Sequence, residues 1–166
     1  MPSNAAQFHI MKAFISLIIL LACTYVAWPY YHVWRLDQAV IQNNPQALAQ
    51  QVDLTAVREQ IKRRLNKDVD SSVGNVSNAF VDWLQDGIRR MGDQAVDELV
   101  NLEWVREQLL SKTAPGDPPG FIDQIDHAFF DRMDGFLVRI GKLDEDPVHV
   151  RFSLRDFSWR VSAVYN

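Results

Sequence analysis

The chain has 166 residues, of which 48% are hydrophobic and 23% are charged. Its formal net charge is -4, and no dense basic arm or stripe is present. Proteins that bind nucleic acid need such a stripe to neutralise phosphates, so we do not expect nucleic acid as a partner.

The N-terminal region contains an uncharged apolar run, AFISLIILLACTYVAW, from residue 13 to 28. A helix rises about 1.5 Å per residue, so about 20 apolar residues cross the roughly 30 Å of hydrocarbon in a bilayer. Residues 1–30 are therefore predicted to form a membrane anchor. The residues expected to contact lipid are Ala13, Leu17, Leu20, Val26 and Trp28.

Charged residues on either side of the run predict its orientation. Lys12 and the amino terminus precede it, whereas Arg35 follows it with Asp37 close by. Because positive charge is enriched on the cytoplasmic side of a span, we expect the N-terminus in the cytoplasm. The chain is then a single-pass protein of the bacterial inner membrane, with the bilayer as one partner and residues 31–166 as one small periplasmic domain.

The end of the apolar run is rich in aromatic residues, which prefer the interface between hydrocarbon and water. They place the exit from the membrane near Pro29, which is expected to kink the helix. These aromatic residues are Trp28, Tyr30, Tyr31 and Trp34.

Cys23, the only cysteine, leaves the processing of this run open. An uncleaved span is the preferred interpretation. The sequence Leu20-Leu21-Ala22-Cys23 is similar to a lipobox, although the residues after it stay apolar, whereas a mature lipoprotein usually begins with polar residues. A lipoprotein and a cleaved secretory signal therefore remain as alternatives.

Two segments of the middle region resemble each other. Residues 45–61 read PQALAQQVDLTAVREQI, and residues 93–109 read DQAVDELVNLEWVREQL. Such self-similarity predicts one helix-turn-helix unit used twice, over residues 34–61 and 82–109. Residues 66–78 are predicted to form a polar linker between the copies.

Capping residues mark the predicted helix starts. Asn44 is expected to cap a helix beginning at Pro45, and Asp53 and Asn101 to cap equivalent helices of the two copies. Their apolar stripes are Leu54, Val57 and Ile61, and Leu102, Val105 and Leu109.

A basic ridge, Lys62-Arg63-Arg64, follows the first of these stripes. We favour a solvated face with acidic neighbours, and contact with anionic headgroups is the alternative.

Apolar and polar residues alternate near the C-terminus, which is typical of strands with one buried face. Strands are predicted at residues 136–140, 148–155 and 159–165 as an antiparallel meander, whereas residues 121–133 fit either a short helix or a fourth strand. The predicted fold is α+β: an N-terminal transmembrane helix, a duplicated helix-turn-helix layer and a sheet of three to four antiparallel strands. Phe152, Trp159 and Val161 are expected to pack under a helical stripe.

The polar face of the predicted sheet is basic. Several arginines on one face can bind an anion through bidentate hydrogen bonds, which makes them candidate interface residues. We favour exposure to solvent, or pairing with Asp131, Asp134 or residues 144–146. The candidates are Arg139, Arg151, Arg155 and Arg160, with His149 among them.

Familiar catalytic and metal-binding motifs such as HExxH, CxxC, GxSxG and the Walker loop are absent from the sequence. One dense set of potential metal ligands occurs, and its spacing does not fit an EF-hand. We therefore expect no catalytic residue, cofactor or metal. The set is Asp123, Asp126, His127, Asp131 and Asp134.

These absences favour a non-enzymatic accessory or scaffold protein that binds other membrane or periplasmic proteins. A module that binds a small ligand or lipid between sheet and helices is the alternative. An enzyme whose site is assembled from distant residues is a third possibility.

Several tracts resemble an uncharacterised family of bacterial membrane-anchored proteins, domain of unknown function 2939. They are Pro29-Tyr30-Tyr31, Ala39-Val40, Ala47-Leu48, residues 52–62 and Trp159-Arg160-Val161. The resemblance covers most of residues 30–165, with Leu54 where the family typically has Phe. It implies an α+β domain outside the inner membrane and carries over no catalytic residue or ligand.

Overall fold

A single long helix, α1, connects the apolar N-terminal region to the rest of the fold. It runs from Asn4 to Ile41, and Pro29 lies inside it. The computed structural model describes residues 4–70, 87 and 94–165, with side chains over 11–64, 87 and 94–165. The helix crosses the domain boundary predicted at residue 30 without a break, so one continuous element belongs to both regions.

The described residues after α1 include four shorter helices of five or more residues, and side-chain caps define three of their starts. They are α2 (Pro45–Gln51), α3 (Leu54–Asp70), α4 (Ala95–Leu99) and α5 (Leu102–Leu110). The Asn44 side chain accepts hydrogen bonds from the first turn of α2. Asp53 Oδ1 accepts from the Ala56 amide at 3.0 Å, and Asn101 Oδ1 accepts from the Trp104 amide at 2.9 Å. The predicted caps are confirmed. Each side-chain oxygen accepts a hydrogen bond from the amide of the third helical residue, which has no partner within the helix.

The described parts of the two copies share local structure around these caps. The Val52 amide donates to the Leu48 carbonyl at 3.0 Å, and the Val100 amide donates to the Val96 carbonyl at the same distance. Residues 82–86 and 88–93 lie outside the described residues, so superposition of the complete units stays a prediction.

Helix α3 extends further than the sequence pattern indicated. It ends at Asp70, so residues 66–70, which were predicted to be linker, are helical. Residues 66–70 continue from the good helix formers of residues 62–65, and they contain no glycine or proline to stop the helix. The remainder of the predicted linker lies outside the described residues.

The C-terminal region is a four-stranded antiparallel sheet in the order β1-β2-β3-β4. Residues 121–133 contain a short 3₁₀ helix, Ile122–Gln124, and then β1, so the ambiguous segment supplies a fourth strand. The α+β prediction is confirmed. The strands are β1 (Ile125–Arg132), β2 (Gly135–Ile140), β3 (Val148–Arg155) and β4 (Ser158–Tyr165).

One hydrophobic core joins the inner face of the sheet to the helices. Phe152, Trp159 and Val161 are fully buried, as predicted, and they share this core with both helical stripes. Helix α1 enters the same core with Leu36 and Val40, which are also fully buried. Its C-terminal half is therefore a structural element of the domain.

Strand β4 is connected to the helical layer by a backbone contact. The Asp53 amide donates to the Val161 carbonyl at 2.9 Å, and Val52 forms a parallel bridge with Val161. This contact fixes the start of α3 beside β4.

A buried carboxylate connects α1 to the segment before β1. Asp37 Oδ1 accepts hydrogen bonds from the amides of Phe121 at 2.7 Å and Ile122 at 3.3 Å. Gly120 has φ +106°, and a Cβ there would clash with the Asp37 carboxylate. The close approach of this loop to α1 therefore requires glycine.

Truncation of Trp159 tests the shared core. We expect Trp159→Ala to lower the free energy of unfolding by about 3–5 kcal/mol, because a large buried side chain leaves a cavity. Chemical denaturation of the full chain in detergent, followed by far-UV circular dichroism, measures this loss.

Leu143→Ala is the matched control, because Leu143 is 70% exposed. It should leave stability almost unchanged. Equal unfolding midpoints for the two variants would contradict a core that depends on Trp159.

Candidate binding groove

A groove of about 600 Å³ lies between α3 and the outer, polar face of the sheet. One wall is α3, which supplies Thr55, Glu59, Arg63 and Arg64. The remaining lining comes from β3, β4 and the turn between β1 and β2. The contact of Asp53 with Val161 creates this space, because it holds α3 beside β4.

Small polar side chains keep part of the groove open. Ser153 and Ser162 lie on neighbouring strands, and their hydroxyl oxygens are 2.7 Å apart. A register shift between β3 and β4 occurs at Arg151 and Phe152, next to these serines. Such irregularities re-aim side chains locally.

The lining is basic, since its arginines outnumber its carboxylates. The arginines are Arg63, Arg64, Arg132, Arg151 and Arg155, and the carboxylates are Asp53, Glu59 and Asp134. Guanidinium groups stay protonated and present forked donors, so this surface favours anions with paired oxygens.

Contacts at two points along α3 position two of these arginines. Arg155 Nη1 lies 3.3 Å from Asp53 Oδ2 at the helix start. The Arg64 guanidinium lies over the Tyr165 ring, 5.5 Å from its centroid. The Arg155 side chain is 64% exposed, and such exposed ion pairs contribute little stability, so it can turn towards a ligand.

Arg151 is held more tightly. Its Nη2 donates to Asp131 Oδ2, and its side chain is 30% exposed. Its buried Nε has no hydrogen-bond partner within the described part of the chain. The buried Asp131 Oδ1 of the same ion pair also lacks a hydrogen-bond partner among the described residues, so this pair is held inside the fold at a cost in free energy.

The structure brings together two of the four predicted interface arginines, Arg151 and Arg155. Arg139 instead pairs with Asp126 outside the groove, and Arg160 is exposed on β4 and does not line it. No local sequence pattern connects Arg63, Arg64 and Arg132 with this site, because the fold brings them to β3 and β4 from other segments.

Two titratable groups on the same sheet have lowered pKa values. The hydrogen bond from Arg139 lowers the pKa of Asp126, so this carboxylate stays ionised. Burial lowers the pKa of His149, and repulsion from Arg139 and Arg64 acts in the same direction. Neutral His149 stacks on Tyr165 with ring centroids 5.2 Å apart.

The dense set of potential metal ligands in the sequence lies along β1 and at its two ends. Its members Asp126 and Asp131 pair with arginines, whereas Asp123, His127 and Asp134 are exposed. Within the described residues, no group of three or more His, Cys, Asp or Glu side chains could hold a metal ion.

The side chains of the basic ridge point to separate partners. Lys62 binds Asp97 at 3.0 Å, Arg63 lies 3.4 Å from Glu59, and Arg64 covers Tyr165. The ridge therefore joins the helical layer to the groove.

The predicted anchor residues lie on α1, which from Met11 to Ile41 is long and apolar enough to cross a membrane. Leu17, Leu20 and Val26 are at least half exposed, and Ala13 is exposed. Trp28 differs, because it packs against the core, and its Nε1 donates to His32 Nε2 at 3.1 Å.

The family model for proteins of unknown function, DUF2939, matches residues 18–107, more than half of the chain. The chain belongs to this family. In this DUF2939 member the matched region holds most of α1 and the helical layer, including the α3 wall of the groove, whereas all four strands lie beyond it. No curated protein and no solved structure matches the chain.

Asp53 has two roles in this DUF2939 protein, as the α3 cap and as the partner of Arg155. We expect Asp53→Ala to cost about 1 kcal/mol, because both the cap and the ion pair are lost. Asp53→Asn should cost much less, because asparagine caps helices about as well and the exposed pair contributes little.

Thermal unfolding of the full-length variants in detergent separates these contributions. A loss for Asp53→Asn as large as that for Asp53→Ala would show that the ion pair, and not the cap, stabilises this corner.

Proposed function

We propose that this protein is a non-enzymatic, membrane-anchored accessory or scaffold subunit whose groove binds an acidic peptide segment of a partner protein. In this proposal α1 is a single span of the bacterial inner membrane, and the domain lies in the periplasm. The observation that carries the proposal is the arginine-rich groove between α3 and the sheet.

The length of the groove suits a short extended peptide. Its wall follows α3 from Thr55 to Arg64. At about 1.5 Å per residue this distance is about 14 Å, which equals about four residues of extended chain. Acidic side chains of such a peptide could pair with Arg64 at one end and Arg155 at the other.

The chemistry of the lining favours binding over turnover. General acid–base catalysis needs groups that are free to exchange protons, whereas arginine stays protonated. Two of the three carboxylates in the lining, Asp53 and Glu59, pair with arginines. Arginines and hydroxyl groups can orient a carboxylate through bidentate and single hydrogen bonds. This supports a recognition site.

A small anionic ligand is the second candidate occupant. The groove volume of about 600 Å³ falls within the range of small-molecule pockets. The guanidinium groups that line the groove can bind phosphate oxygens as well as a carboxylate.

The proposed orientation is supported by the charges beside the apolar run. Lys12 precedes it, while Arg35 and Asp37 follow it, and this arrangement favours a cytoplasmic N-terminus. The groove would then face partners outside the inner membrane.

Peptide binding to the full-length protein in phosphatidylcholine nanodiscs tests this function. Fluorescein-labelled hexaglutamate should bind, and labelled hexaglutamine should not. The double variant Arg64→Gln/Arg155→Gln should weaken binding at least about tenfold, because each charge-assisted hydrogen bond contributes about 1.5–3 kcal/mol.

Arg160→Gln is the matched control, because it removes one exposed charge from β4 without touching the groove. It should leave the affinity almost unchanged. Competition by inorganic phosphate at low concentration would favour the small-ligand alternative. Equal affinity for both peptides, or an unaffected double variant, would contradict the proposal.

A further inference from the structure

Two exposed apolar side chains occupy the tips of two hairpins at one end of the sheet. Met133, in the turn between β1 and β2, is 84% exposed, and Phe157, in the turn between β3 and β4, is 86% exposed. In an antiparallel meander alternate turns lie at the same end, so these tips are neighbours. Leu143 is at the opposite end, in the turn between β2 and β3.

The Phe157 turn is conformationally costly. Asp156 has φ 48° and Phe157 has φ 55°, as in hairpin turns that usually contain asparagine and glycine. A bulky residue in the left-handed region is uncommon and strained. The exposed Phe157 side chain gains no burial from the described part of the fold to offset that cost.

The apolar part of α1 leaves the domain beside the same end of the sheet. The Tyr25 hydroxyl donates to the Met133 carbonyl, and the Tyr25 ring stacks on Phe130 with centroids 5.7 Å apart. Further along α1 the Tyr30 hydroxyl donates to the Ala128 carbonyl at 3.3 Å. Strand β1 therefore runs antiparallel to α1, and the turn after β1 lies beside Tyr25.

Tyr25 lies near the outer end of the apolar run of α1. The run ends at residue 28, three residues after Tyr25, which is about 5 Å along the helix at about 1.5 Å per residue. If this run crosses the membrane with Lys12 on the cytoplasmic side, Tyr25 lies close to the opposite surface. The tip at Met133 then lies there as well.

We propose that Met133 and Phe157 insert into the interfacial layer of the bilayer that α1 spans, so that the sheet end is a second membrane contact. The inference rests on the proposed anchor function of α1. Burial of two apolar side chains at the interface is favourable, and it compensates for the strain at Phe157.

Two arginines flank the proposed membrane contact. Arg132 precedes Met133, Arg155 lies at the end of β3, and each side chain is 64% exposed. At this depth their guanidinium groups can reach headgroup phosphates while the apolar tips lie deeper. Both arginines also line the groove, so one end of the groove opens at the membrane surface.

Depth-dependent quenching tests the contact in the full-length chain. Single cysteines at Met133, Phe157 or Leu143, in a Cys23→Ser background, carry an environment-sensitive fluorophore. The protein is reconstituted into vesicles of phosphatidylethanolamine and phosphatidylglycerol, with nitroxide lipids labelled near the headgroup. We expect blue-shifted emission and at least about twofold stronger quenching at Met133→Cys and Phe157→Cys than at the Leu143→Cys control.

A probe at Leu17→Cys distinguishes failure of the second membrane contact from failure of α1 as a membrane span. One outcome is that nitroxides at the centre of the acyl chains quench the Leu17→Cys probe, while the Met133→Cys and Phe157→Cys probes respond like Leu143→Cys. This result would overturn the second membrane contact and leave the span intact. An unquenched Leu17→Cys probe would overturn both.

Phe157→Asn provides a further check, because asparagine tolerates the left-handed conformation. It should fold at least as well as the parent in detergent, while quenching of the Met133→Cys probe in vesicles decreases. Unchanged quenching at Met133→Cys in this variant would contradict a joint insertion of the two tips.

Discussion

The buried carboxylate of Asp37 is the contact on which the arrangement of helix and sheet depends. It accepts hydrogen bonds from two successive amides, those of Phe121 and Ile122, and so fixes where the sheet begins relative to α1. A charged group in this position is stable only while its hydrogen bonds are made. Gly120 allows the close approach, because any side chain there would clash with the carboxylate.

This contact makes α1 part of the domain as well as an anchor candidate. Its buried residues Leu36 and Val40 share one core with the sheet, and Tyr25 holds the hairpin tip at Met133. Because α1 is continuous through both regions, the orientation of its apolar part determines the orientation of the domain, whereas a flexible linker would leave the domain free to rotate. The groove between α3 and the sheet then has a defined place relative to the apolar part of α1.

Local patterns predicted much of this fold. The alternation of apolar and polar residues identified β3 and β4, and short polar side chains identified the helix starts at Asp53 and Asn101. Both signals can be read from a few neighbouring residues, because strand periodicity and helix capping are local properties. Strand β1 was ambiguous, since Phe129 and Phe130 are adjacent apolar residues and break the alternation. Helix α3 continues to Asp70, past the predicted linker start, because nothing in this part of its sequence terminates it.

The groove could be predicted only in part. The sequence pattern placed Arg151 and Arg155 on one sheet face, but Arg64 comes from a distant helix. Its position depends on the hydrogen bond between Asp53 and Val161, a backbone contact without a side-chain signature. Sites assembled by such contacts require coordinates.

Hydrogen–deuterium exchange of the full-length protein in nanodiscs tests the central claim, that the C-terminal half of α1 and the sheet form one cooperative unit. Asp37→Ala should increase exchange together in residues 33–41 and 120–124, because both sides lose the same contact, and leave residues 11–24 unchanged. Faster exchange confined to residues 120–124, with residues 33–41 as protected as in the parent, would contradict the account.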